Sequence, residues 1–307
     1  MAIVLVAIVL GVLWAARIRP RAEAPLTLRA SYVGAAACRS CHAAEFAAWR
    51  GSQHALAMQP ATDQTVQGDF HDAEFRDGGI TSRFFRRDGR FMVRTDGPDG
   101  ALADFEIRYT FGVAPLQQYL IGFPDGRMQA LSIAWDARPK ESGGQRWFHL
   151  HAGEHVTHQD ELHWTGLQQN WNFMCADCHS TNLRKHYDAA SNAFQTAWSE
   201  IDVACEACHG PGSEHAAWGR RPAWWRRFET RGRALTVTFD ERRGISWPID
   251  SASGVAHRSA PRTTDRELEV CARCHSRRSQ ISEEFRPGQP IGDGFRVALL
   301  EDGLYWP

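Results

Sequence analysis

Eight cysteines fall into four pairs of identical spacing in this chain of 307 residues, and each pair is followed at once by histidine. The motifs are CRSCH (Cys38, Cys41, His42), CADCH (Cys175, Cys178, His179), CEACH (Cys205, Cys208, His209) and CARCH (Cys271, Cys274, His275). The spacing has a chemical reason. Two thiols separated by two residues reach the two vinyl groups of one haem as thioethers, and the adjacent imidazole reaches its iron. No cysteine is left over for a disulfide or a free thiol. Such a chain folds around its cofactors. The expectation is four covalent haem c groups, with His42, His179, His209 and His275 as proximal iron ligands.

Zinc is the rival reading. The pairs at 175–178 and 205–208 are close enough in sequence for a four-cysteine ribbon. A ribbon, however, gives no reason for a histidine after every second cysteine. A thioredoxin-like redox motif needs one C-x-x-C on a βαβ pattern, not four.

The second axial position of each iron decides its chemistry. A six-coordinate iron suits electron transfer, whereas an open one binds a small substrate. The chain carries 14 histidines, well beyond the four in the motifs. His54, one short helix past the first motif, and His215, after the Pro-Gly turn of the third, are the first candidate distal ligands. His163 and His149, ahead of the second motif, are the next. Met58 is the local alternative to His54, and His151, His155, His158 and His257 stay open; His71 and His186 read as surface residues. The group His149, His151, His155 and His158 would also suit proton delivery at an open iron.

Composition adds little. A hydrophobic share of 43% and a charged share of 23% are ordinary for a soluble globular protein. A net charge of −1 gives no electrostatic footprint for nucleic acid. Lys140 and Lys185 are the only lysines among 35 basic residues. Arginine pairs bidentately with carboxylates, and Arg184, Arg277 and Arg278 lie near the motifs, where haem propionates would fall.

Residues 1–24 read as an export signal or membrane anchor. The apolar run MAIVLVAIVLGVLWAA is shorter than the ~20 residues of a membrane span. Arg17, Arg19 and Arg21 follow it, whereas a signal carries its positive charge ahead of the apolar run. Residues 31–69 form a first haem-binding unit with an Ala-rich helical face around Phe46 and Trp49. From 70 to 150 the character changes. ITSRFFRRDGRFMVRTD places two alternating runs around Asp88-Gly89, a hairpin signal, and DFEIRYTFGV, LQQYLIGF and RMQALSIAW continue it. Residues 151–307 hold the other three motifs. The expected fold class is therefore a mainly α, loop-rich multihaem cytochrome c fold with a small antiparallel β insert. The end at GLYWP, just after strand-like FRVALL, reads as a truncation.

The stretch AACRSCHAAEFAAWRGSQHALAM resembles the opening of the cytochrome c-554-like multihaem family. IAWDARPKESGGQRWFHL, LHWTGLQQNWNFMCADCHSTNL, EIDVACEACHGPGSEHAAW and CARCHSRRSQI are similar to segments of larger exported multihaem proteins, which often add further motifs and tetratricopeptide repeats. The resemblance implies covalent haem c, two histidines on most irons and periplasmic electron transfer with redox partner proteins. It also puts His54 and His215 where distal ligands are expected. This chain has no such repeats and no CxxCK motif. The wider group includes electron carriers and oxidoreductases of small nitrogen and sulfur compounds, and both remain expectations.

Overall fold

The computed structural model describes residues 30–154, 156–226, 234–299 and 301. The expectations placed on the N-terminal run, on His155 and on the terminal GLYWP lie outside them.

A single-turn 3-10 segment, Ala35–Ala37, leads into the first motif, and helix α1 (Ala43–Arg50) follows it. The chain then enters a nine-stranded antiparallel sheet. Its strands are β1 (Met58–Pro60), β2 (Ala73–Asp77), β3 (Ile80–Arg87), β4 (Arg90–Asp96), β5 (Leu102–Phe111), β6 (Leu116–Gly122), β7 (Met128–Ala130), β8 (Ile133–Asp136) and β9 (Arg146–His149). The order is β2-β3-β4-β5-β6-β8-β9, with β1 paired to β5 and β7 to β6. Twist curls the sheet until its ends meet. His149 on β9 stands 3.9 Å from Asp77 on β2.

The hairpin at Asp88-Gly89 is built by local chemistry. Both residues have positive φ, 52° and 77°, as a two-residue turn matched to strand twist requires. The register Arg87↔Arg90 and Phe85↔Met92 follows. Inside the curl lies an aromatic core of Phe70, Phe84, Phe91, Tyr119, Trp135, Trp147 and Trp164. Phe84 and Trp147 stack with ring centres 3.6 Å apart. Gly68 passes so close that a Cβ there would stand 2.5 Å from the Tyr119 hydroxyl and 2.6 Å from Trp147.

Strands β5 and β6 are covered on both faces. Tyr119 and Ile121 point into the aromatic core, while Leu120 between them joins Met58, Phe111, Met128, Trp171 and Ala176 in a second core. Side chains alternate across a strand, so LQQYLIGF reads as one apolar run because both sides are buried.

Past the sheet the elements shorten. They are α2 (Trp171–Met174), α3 (Ala176–His179), β10 (Tyr187–Asp188), β11 (Ala193–Phe194), α4 (Cys205–His209), α5 (Ser213–Gly219), α6 (Ala223–Arg226), α7 (Arg266–His275), β12 (Arg278–Gln280) and β13 (Phe295–Val297). Among the described residues the longest helix is α7, of 10 residues.

The expected mainly α fold with a small β insert is therefore wrong. The sheet is the largest element, and it recruits Met58–Pro60 and a strand ending at His149. The helices stay short for a physical reason. One turn suffices to present two thiols and an imidazole, and the chain must then turn away to reach the next motif.

Candidate haem sites

Each motif is a single helical turn held from outside. In the first, the His42 amide donates to the Cys38 carbonyl at 2.9 Å. Helix α1 is then pinned by the Trp49 indole, which donates to the Val203 carbonyl at 2.9 Å, just ahead of the third motif. Helix α2, which leads into the second motif, is capped by Asn170, whose side chain accepts from the Phe173 amide. Buried Asn172 ties it to the sheet, accepting from the Met128 amide at 2.7 Å and donating to the Gly126 carbonyl. The third ends at Gly210, with φ of 77°; a Cβ there would stand 3.0 Å from Thr236. The fourth closes α7.

The four motif histidines are placed in two ways. His42 faces His215 with ring centres 6.0 Å apart, and His275 faces His54 at 6.2 Å. A metal–imidazole bond is about 2 Å, and roughly 1 Å more separates each nitrogen from its ring centre, so two imidazoles sharing one metal stand about 6 Å apart. His179 and His209 instead donate through Nδ1 to backbone carbonyls, of Ala57 at 2.9 Å and Val237 at 3.0 Å. That bond fixes the tautomer and leaves Nε2 as the metal-binding nitrogen. Both arrangements fit iron ligation.

The cysteines pair across the sequence. The Cys38 thiol lies beside Cys205, and Cys178 beside Cys274. Cys271 lies within electrostatic range of Cys208. The ribbon pairing of 175–178 with 205–208 does not occur, and among the described residues no three His, Cys, Asp or Glu side chains gather as a metal cage. Burial pushes the Cys175 thiol up to about 12.

His163 and His149, expected as distal ligands, have other surroundings. His163 is buried with both nitrogens engaged, Nε2 with Asp96 at 3.1 Å and Nδ1 with Thr165 at 2.8 Å. His149 accepts the His151 amide at Nδ1. Both line one cleft at the sheet edge with Asp77, Asp96, Ser132 and Trp164, and no motif residue lines it. Arg184 reaches Glu283 and Glu284, and Arg278 reaches Asp177, so protein carboxylates and carbonyls hold the guanidiniums expected beside propionates.

Sequence reasoning missed the residues between the cysteines. Asp177 of the second motif meets Arg273 of the fourth at 3.0 Å, and Glu206 of the third accepts backbone N–H groups of Val33, Gly34 and Gly212. Opposite charges inside CADCH and CARCH were the available signal.

The family model described as "Cytochrome c554 and c-prime" matches residues 37–76 and 137–210, which include the first three motifs. The fold is similar to that of the outer cell wall cytochrome OcwA, at a TM-score of 0.50 and 19% identity over 90% of this chain and 47% of that one. This chain thus spans about half the length of OcwA. An undecahaem cytochrome from the S-layer of Carboxydothermus ferrireducens matches at 21% identity and a TM-score of 0.35, over 64% of this chain and 23% of that one. No curated protein matches.

Motif turns and opposed imidazoles fit covalent haem c, and the family model supports a likeness to multihaem c-type cytochromes. Over those matched residues, a little more than a third of its length, the chain is similar to the cytochrome c554-like family.

Proposed function

We propose that this chain binds four haem c groups, one at each CxxCH motif, and passes single electrons along them outside the cytoplasm. The spacing of His42 with His215 and of His54 with His275 carries this reading. Each couple joins a motif histidine to one from elsewhere and leaves room for one metal between the rings. Iron at the first and fourth motifs is then six-coordinate, as a carrier requires.

The cysteine neighbours suggest an order: first motif beside third and fourth beside second, with third and fourth linked at longer range through Cys208 and Cys271. Haems attached at adjoining thiols lie close enough for electrons to hop. The haem supplies the redox chemistry; the protein supplies axial ligands, burial and spacing. Residues 1–24, as signal or inner-membrane anchor, would deliver the chain to the periplasm, and soluble or membrane redox proteins would be its partners. The outer cell wall cytochrome that it resembles in fold supports an extracytoplasmic place. Among the described residues no helix is long and apolar enough to cross a membrane.

A second reading is an oxidoreductase acting on a small nitrogen or sulfur compound at one open iron. One observation favours it. Among the described residues, the rings beside His179 and His209 are those of Phe111 at 5.5 Å and Phe239 at 4.9 Å, not second imidazoles.

The test is expression in a host with haem c maturation, followed by mass, absorption and EPR measurements. Four covalent haems, all low-spin, support the carrier. A high-spin fraction that shifts with nitrite, hydroxylamine or cyanide supports the enzyme. A chain without covalent haem sinks both.

A further inference from the structure

The buried charges lie unevenly along the proposed row of haems. Glu206, only 2% exposed, sits between the two cysteines of the third motif. Its carboxylate accepts from Val33 and Gly34, ahead of the first motif, and from Gly212 behind its own. Glu200 accepts from the Ala35 amide at 2.9 Å. Cys38 feels both carboxylates, and Asp202, which burial pushes up to about 6, lies close by in the chain. The cation of the first motif, Arg39, is exposed.

At the second and fourth motifs the buried balance reverses, although Arg273 also acts on Cys208 of the third and Glu267, paired with Arg242, on Cys271 of the fourth. Asp177, between the cysteines of the second, is shared by Arg273, between those of the fourth, at 3.0 Å, and by Arg278 at 2.7 Å. The three side chains are 10%, 9% and 12% exposed. One carboxylate against two guanidiniums leaves a net positive charge. Arg278 also stands 3.0 Å from the Cys178 sulfur. Replacing a buried ion network by apolar side chains is often neutral or stabilising, so such a network is weak grounds for stability alone.

We propose that these charges give the haem row a direction: the haems at motifs one and three, beside Glu206 and Glu200, hold the lower potentials, and those at motifs two and four, beside Asp177, Arg273 and Arg278, hold the higher. This rests on the haem reading above. Negative charge near an iron favours Fe(III), and positive charge favours Fe(II). One electron from an external donor protein reduces an iron of the first pair, passes to the second pair, and leaves to an acceptor protein. Each transfer oxidises one iron and reduces the next, with no proton or bond change. Glu206, Asp177, Arg273 and Arg278 are positioning residues, since they act through the haems.

The experiment is a spectroscopic redox titration of the holoprotein and of two variants, Glu206→Gln and Arg278→Gln. The parent should titrate as two groups of two. Glu206→Gln keeps an oxygen that accepts N–H bonds while removing the charge, and should raise the lower group alone. Arg278→Gln should lower the upper group alone. Each shift should be about tenfold in the reduction equilibrium, or 59 mV for one electron. Shifts of the wrong sign, shifts in the wrong group, or none in either variant would overturn the proposal. If one variant fails to mature, the other still decides. Covalent haem counted by mass in the same samples separates this outcome from failure of the haem reading, in which no variant carries haem.

Discussion

The ring of His54 stands 6.2 Å from that of His275, with the ring planes at 68°, although the two lie near opposite ends of the described chain. His54 is set in place by its own carbonyl, which accepts the Val203 amide at 3.2 Å. His275 ends α7. Replacing His54 by alanine should leave covalent haem content unchanged and convert one low-spin EPR signal to high-spin. An unchanged spectrum would mean that His54 binds no iron.

Attachment should be separable motif by motif. Replacing both Cys271 and Cys274 by alanine should lower the covalent haem count from four to three by intact mass. A loss of all haem would mean that the motifs mature only together.

The aromatic core should carry much of the stability of the sheet. Phe84 is fully buried and stacked on Trp147, and Phe84→Ala should cost about 3–5 kcal/mol. Chemical denaturation followed by tryptophan fluorescence would read the loss. A cost below ~1 kcal/mol would mean that the neighbouring rings repack over the gap.

Burial holds the His149 imidazole below its ordinary value of 6.5. The fold therefore keeps it neutral, while the unfolded chain takes up a proton first. Stability should begin to fall as the pH drops through about 6.5 and keep falling towards the lower folded value. His149→Gln should flatten that part of the profile. A parent profile that is flat between pH 7 and 5 would contradict the assignment.

Gly210 follows His209 directly, with φ of 77°. Gly210→Ala should cost about 1–2 kcal/mol for the left-handed backbone, and more where the added Cβ meets Thr236. Since the turn sets the path to His215, low-spin character at the first motif should weaken as well.

What the sequence made legible was chemistry with a local cause. The CxxCH spacing needs only one turn, and the Asp88-Gly89 hairpin needs only two residues of positive φ. His54 and His215 were singled out because each follows a motif after a short helix or turn, but their placement beside His275 and His42 was not legible, since nothing local links positions so far apart. That His163 is held by Asp96 and Thr165 follows from no sequence pattern either. LQQYLIGF and RMQALSIAW announced β6, β7 and β8, whereas β1, of three residues, is too short for a periodic pattern.

The sharing of β5 and β6 between two cores also bears on how the protein is made. Their hairpins close by contacts between near neighbours in the chain, while the histidine couples close loops that run from one end to the other. Short loops form first and fastest. A newly made chain therefore has a scaffold of strands ready before any cofactor arrives. The second motif, braced on that scaffold through Asn172, is the one presented earliest to the attachment machinery, and the couples at His42 and His275 complete the assembly.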